Sequence, residues 1–238
     1  MWDKSNKVLG VLGGMGPLAT QLFYKKIIEK TKAKRDQEHL DMIILNHASM
    51  PDRTEAILGG FGEDLYKALL EDARRLVDNG AAVIAIPCNT SHLFVHRLQK
   101  EIPVPIINMI QETIQTLAKR SERIKDVGIL ATDGTLQSGL YQNACISAGI
   151  RPVVPSPEIQ KLVMKIIYDG IKNGGEIDYN DFIAIEGELS DNGCQAAIMA
   201  CTELSCFKEI YRLPDYYIDA MEVLVERSIV ACGKEVKK

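Results

Sequence analysis

Short apolar runs alternate with longer amphipathic stretches along this chain, the pattern of parallel strands joined by helices. In the first half, the runs Lys7–Leu12, Asp41–Asn46, Ala82–Ile86 and Pro105–Ile107 predict strands. Between them, Pro17–Thr31, Gly62–Asn79 and Ser91–Glu101 read as helices. Pro17 suits a first helical position, where its missing N–H is an orphan donor in any case. Gly80 suits the position just past a helix end. The pattern restarts at Asp126–Ala131, with strands predicted at Arg151–Val154, Ala196–Met199 and Tyr216–Ile218. Helices are predicted there at Pro157–Ile171, Tyr179–Asn192, Phe207–Tyr211 and Ala220–Ala231. The expectation is an α/β protein of two domains, 1–121 and 122–218, each a parallel-rich sheet flanked by helices. The charged stretch Lys119–Lys125 marks the junction, and a C-terminal helix at about 219–233 packs back on the first domain.

An internal echo links the two halves. Gly10–Pro17 aligns with Gly128–Thr135 without a gap, and Cys88 pairs with Cys201 at a nearby offset. Ile107-Asn108-Met109 pairs with Ile218-Asp219-Ala220 at a third. Loops of unequal length explain the drift. Such a repeat predicts a pseudo-twofold arrangement with both cysteine turns at one cleft, since open α/β sheets bind ligands outside the carboxyl ends of their strands.

Composition narrows the classes. Across 238 residues, 46% hydrophobic and 25% charged content is that of a globular enzyme. A net charge of -4, with scattered basic residues, argues against a nucleic-acid surface. No apolar run approaches bilayer length, and the first residues lack the apolar core of a signal peptide, so the expected setting is cytoplasmic, away from membranes. In that setting the six cysteines are expected as thiols rather than bridges. No C-x-x-C pair occurs, and His92 and His96, four apart, have no third ligand nearby in sequence, so no metal site is expected.

The chemistry gathers at Ile86-Pro87-Cys88-Asn89-Thr90 and Met199-Ala200-Cys201-Thr202-Glu203. Each puts a cysteine past an apolar strand and ahead of a predicted helix, where free N–H groups favour a thiolate. Two such groups suit stereoinversion, one accepting a proton from a carbon while the other donates to its opposite face. Asn89, Thr90, Thr202 and Glu203 offer side chains and amides to an α-carboxylate and α-ammonium, although Asn and Thr also serve as plain caps. Cys145, Cys194, Cys206 and Cys232 read as packing residues. Gly14-Met15-Gly16-Pro17-Leu18-Ala19 matches a dinucleotide fingerprint only weakly, because the second strand ends Leu45-Asn46-His47 without the acid that holds a ribose. A glycine turn gripping a small carboxylate fits better. Arg53, in a loop after the second strand, suits a second carboxylate.

These residues resemble the aspartate/glutamate racemase family, within the Asp/Glu/hydantoin racemase superfamily. The likeness rests on Gly13–Pro17 with Ala19-Thr20, on Pro51-Asp52-Arg53-Thr54, and on Pro87–Thr90 with His92. Ala131-Thr132 through Thr135 and Cys201-Thr202-Glu203-Leu204 complete it. The resemblance implies two pseudo-symmetric domains with the active site between them, a homodimer, and no cofactor, pyridoxal phosphate included. It implies that Cys88 and Cys201 are the two bases, each deprotonating one enantiomer of an acidic amino acid, aspartate first and glutamate second. Arg53 matches the clamp for the side-chain carboxylate, and Lys172, ahead of Lys165, matches a substrate lysine. Met15 and Thr132 fall in motifs lining the same site. Glu203 stands where cell-wall glutamate racemases carry histidine, and Gly13-Gly14 where they carry Asp-Ser. Ala200 replaces the family's usual glycine. Rival readings are a maleate isomerase, a hydantoin racemase-like enzyme, and a non-catalytic two-lobed amino-acid-binding protein.

Overall fold

A computed structural model describes residues 7–120 and 124–237. Two compact units emerge, one of residues 1–109 and 221–238, the other of 110–220. The 121/122 boundary expected from the charged junction lies outside the described residues; the division falls a helix earlier, ahead of Ile110.

The first unit contains β1 (Leu9–Gly13), α1 (Pro17–Lys30), β2 (Met42–Asn46), α2 (Arg53–Leu58), α3 (Gly62–Asp78), β3 (Val83–Ala85) and α4 (Val95–Glu101). Its strands are parallel in the order β2-β1-β3. The run Pro105–Ile107 contributes a single parallel bridge, Ile106 to Ile84, instead of a strand. Pro103 and Pro105 have no N–H to give a ladder, so pairing stops there. All five residues of β1 are buried, as befits a central strand. Leu65, Leu69, Ala73 and Leu76 form the buried stripe of α3 and pack with Leu12, Ile84 and Ile86.

Helix α5 (Met109–Ala118) passes into the second unit, which continues with β4 (Asp126–Leu130), α6 (Asp133–Ser138), α7 (Leu140–Ser147) and β5 (Arg151–Val153). Helix α8 (Pro157–Lys165), a π-helical turn at Ile166–Lys172, α9 (Tyr179–Asp191), β6 (Ala196–Met199), α10 (Thr202–Tyr211) and β7 (Tyr217–Asp219) follow. The sheet is parallel in the order β5-β4-β6-β7. With Ile106 counted as a fourth position, both sheets run second-first-third-fourth. The echo is also physical. A Cβ on Gly10 of β1 would sit 2.8 Å from Ala81 Cβ and 3.3 Å from Leu76 Cβ, and one on Gly128 of β4 would sit 2.6 Å from Leu189 Cδ2. At matching positions of the two central strands, glycine lets the neighbouring structure approach closely. Phe182, Phe207 and Tyr217 fill the second core, with Phe207 and Tyr217 centroids 4.8 and 5.3 Å from that of Phe182.

Helix α11 (Ala220–Ala231) belongs almost wholly to the first unit. It buries Met221, Leu224, Val225 and Ile229 and reaches α1 through Lys26–Glu222 (3.3 Å) and Lys30–Glu226 (2.9 Å). Beyond it, Val236 bridges Thr31. The helix following the fourth strand position of each half is therefore counted in the opposite unit, α5 in the second and α11 in the first.

Several elements differ from expectation. The segment after β2 is not all loop: Asp52 caps α2, its carboxylate accepting from the Thr54 and Glu55 amides at 2.9 and 3.1 Å. The helix expected from Ser91 is a 3-10 turn over Thr90–Phe94 before α4 begins. The single helix expected over Pro157–Ile171 changes to π geometry at Ile166. Helix α10 starts at Thr202, five residues ahead of the expected Phe207.

Candidate active site

In the first unit, the candidate residues collect at the carboxyl ends of the strands. Beyond β1, Gly14 has φ 91 and lies so close to the His47 backbone that a Cβ would meet its carbonyl carbon at 2.4 Å. Only glycine suits both demands. This turn carries Met15, buried with its sulfur facing Ser91 Oγ at 3.3 Å. His47, just past β2, has Nδ1 2.6 Å from the buried Asp72 carboxylate. Arg53 is the first residue of α2, buried, with Nη1 donating to the Pro51 carbonyl at 3.0 Å.

Cys88 is buried in the turn after β3, where its N–H donates to the Ile86 carbonyl at 2.8 Å. Its Sγ lies 3.2 Å from Ser91 Oγ, which donates to it. Ser91 has one hydroxyl hydrogen and two sulfur acceptors, Cys88 and Met15, so it links the turns after β1 and β3. The sequence reading missed Ser91; its only signal was a position three residues beyond the cysteine, one turn away in a helix-like segment. The expected helix dipole at Cys88 is also weaker than anticipated. A five-residue 3-10 turn follows, and α4 begins seven residues on, beyond the first turn where the dipole acts.

Both ring nitrogens of His92 are engaged by backbone groups. Its Nε2 accepts from the Met109 amide at 3.1 Å, which leaves Nδ1 to donate to the Cys88 carbonyl at 2.8 Å. Burial holds its pKa below the usual value, with the Cys88 and Ile107 carbonyls pulling the other way. It is a neutral brace for the Cys88 turn. His96 is exposed on α4, and the described residues contain no group of three or more candidate ligands placed to hold a metal.

The second unit repeats the placement. Thr132 follows β4 and caps α6, its Oγ1 accepting from the Thr135 amide at 3.3 Å. Cys201 follows β6 and is itself the N-cap residue of α10, ahead of Thr202 and Glu203. All three are buried. Cys201 Sγ donates to Glu203 Oε2 at 3.0 Å, so Glu203 spends on the thiol an oxygen expected for substrate. Thr202 Oγ1 lies 3.4 Å from the same oxygen. The thiol pKa is driven well above normal, first by burial, then by the Glu203 charge and hydrogen bond. The Glu203 N–H and the Lys172 ammonium oppose this and lose. The helix terminus alone would have lowered it; desolvation and a buried carboxylate reverse the sign.

Lys172 ends the π-helical turn with Nζ 3.9 Å above the Tyr168 ring centroid. Lys165, the poorer match, is held by Asp181 on α9 at 2.7 Å. Of the other cysteines, burial raises Cys145 and Cys232 to about 11 and Cys194 upward, and Cys206 is buried on α10. Asn89 and Thr90 are buried at the start of the 3-10 turn.

Both units thus use one plan, with a cysteine after the third strand and a threonine- or glycine-rich turn after the first. The sequence profile of the Asp/Glu/Hydantoin racemase family matches residues 12–227. The chain belongs to this family. The Bacillus subtilis (strain 168) relative named broad specificity amino-acid racemase RacX is 26% identical over 228 residues, 93% of this chain and 96% of the relative. The structure of a Picrophilus torridus aspartate racemase superposes with a TM-score of 0.84 at 31% identity, covering 98% of this chain and 96% of that one. An aspartate racemase homologue from Pyrococcus horikoshii OT3 gives 0.76 at 25% identity, covering 96% and 99%. Family membership supports an isomerase of the racemase type acting on an amino acid. No helix among the described residues is long and apolar enough to cross a membrane.

Proposed function

We propose that the protein interconverts L- and D-aspartate by proton transfer at Cα, without a cofactor, using Cys88 and Cys201 as paired acid and base on opposite faces of the carbon. The observation carrying this reading is the equivalence of the two cysteine turns, each after the third strand of a sheet with the same strand order. Arg53 and Lys172 supply two cations for a dicarboxylate, favouring an acidic substrate over a hydantoin. Asn89, Thr90, Thr132 and Thr202 offer hydroxyls and amides to the α-carboxylate beside Met15. Buried donors of this kind stabilise the carbanion-like transition state better than water does, because they need no reorganisation. As the family resemblance implies, the working form is a homodimer. A second reading, a broader amino-acid range, draws support from the relative named as a broad specificity amino-acid racemase.

The test is proton NMR of L-aspartate and, separately, L-glutamate in D₂O with reduced protein, followed by chiral analysis. Loss of the α-proton signal with growth of the D-enantiomer is expected, faster for aspartate. Equal rates across neutral amino acids would favour the broad reading. Binding with no exchange would favour the two-lobed binding protein, and turnover of maleate or a hydantoin instead would move the assignment there.

A further inference from the structure

Glu203 is an awkward neighbour for an acidic substrate. It is 4% exposed, its carboxylate repels a dicarboxylate, and Oε2 lies 3.0 Å from Cys201 Sγ and 3.4 Å from Thr202 Oγ1. Ser91, beside Cys88, has the opposite polarity: its hydroxyl donates to sulfur, whereas the Glu203 carboxylate accepts from it. A donor favours thiolate and an anionic acceptor favours thiol. We propose that Glu203 is a positioning residue that keeps Cys201 as a thiol in the resting protein, loading this half of the site as the proton donor. Its catalytic meaning rests on the racemase reading; the thiol lock itself does not.

The groups facing Cys201 make the lock selective. Tyr141 of α7 is close enough to interact electrostatically with Cys201 and Asp219, and its own phenol is kept protonated chiefly by burial. Asp219 of β7 is engaged by Ser205 Oγ at 2.6 Å. The Lys172 ammonium, from the π-helical turn, and the Glu203 N–H favour the thiolate. Glu203 is therefore the carboxylate in hydrogen-bond contact with the sulfur, and its charge opposes the two groups that would ionise Cys201. Substrate cations or closer approach of Lys172 then tip the balance once Cα needs the proton. The sequence motif Cys-Thr-Glu places this acid two residues past the N-cap cysteine, at the second position of α10, with its side chain reaching back to the cap sulfur.

The deciding experiment is a difference titration of thiolate ultraviolet absorbance, between the full reduced protein and its Cys201→Ser variant. The Cys201 midpoint is expected above the ordinary thiol value of about 8.5. In the Glu203→Gln background it should fall by roughly one pH unit or more, giving about tenfold more thiolate near neutrality. Glu203→Asp should keep it high. A midpoint at or below about 8.5 in the unsubstituted protein, or one unmoved by Glu203→Gln, would overturn the proposal. If the Gln variant fails to fold, Glu203→Met, which keeps the buried volume without the charge, decides in the same titration: a lowered midpoint supports the lock, and an unmoved one overturns it. The Cα exchange assay on the same samples separates the two ideas, since a shifted midpoint with no exchange leaves the lock standing and removes the racemase reading.

Discussion

The two candidate thiols differ in what touches them, and that difference sets what each can do. Cys88 accepts from Ser91 in a turn braced by neutral His92, whereas Cys201 donates to Glu203. If the proposed two-base chemistry holds, neither sulfur substitutes for the other, because each serves one face of Cα. Cys88→Ser and Cys201→Ser are each expected to lower racemisation by at least about 10²-fold, the scale of a lost general acid or base. Chiral analysis measures this, and near-normal racemisation by both variants would exclude the scheme. Each variant should still exchange the α-hydrogen of one enantiomer with solvent, a different one for each.

At the scale of elements, the Cys88 turn has a pH dependence traceable to one ring. The folded pKa of His92 is held below its unfolded value of about 6.5. Below that pH the unfolded chain takes up a proton that the native turn refuses. Stability is therefore full above about pH 6.5 and falls as pH drops toward the folded pKa, by up to about 1.4 kcal/mol per pH unit. Urea unfolding between pH 7.5 and 5 should show this slope, reduced by that amount in His92→Asn; parallel slopes would exclude it. Strands β1, β4 and β6 were legible in the sequence because central parallel strands, buried on both faces, read as unbroken apolar runs, whereas Pro105–Ile107 reads the same way yet gives only one bridge. The cysteine turns were legible because their chemistry lies at strand ends. Helix α5 was not, because buried Thr113, engaged by Tyr141, interrupts its apolar stripe of Ile110, Ile114 and Leu117. Helices α6 and α7 were also missed, two short helices separated by Gly139 at φ 68. The partnership of Glu203 with sulfur depends on a side-chain direction inside a helix cap, which spacing cannot convey.

At the scale of the molecule, the exchanged helices make the first unit discontinuous. Met221, Leu224, Val225 and Ile229 are buried in α11, and each such side chain is worth about 1.5–3 kcal/mol. That sum is comparable with the whole stability of an ordinary domain, about 5–15 kcal/mol. A chain shortened to end at Ala220 is expected to lose amide hydrogen-exchange protection in β1, β2 and β3 while keeping it in β4 and β6. Unchanged protection in β1 would show that the first sheet closes without α11. The same discontinuity bears on synthesis. Domains fold as units while the chain leaves the ribosome, at about 5–20 residues per second. Residues 110–220, the whole of the second unit, emerge as one uninterrupted segment. The first unit, begun earlier, waits for residues 221–237 before its sheet is fully covered. The later-translated half is therefore the first to have all of its residues available.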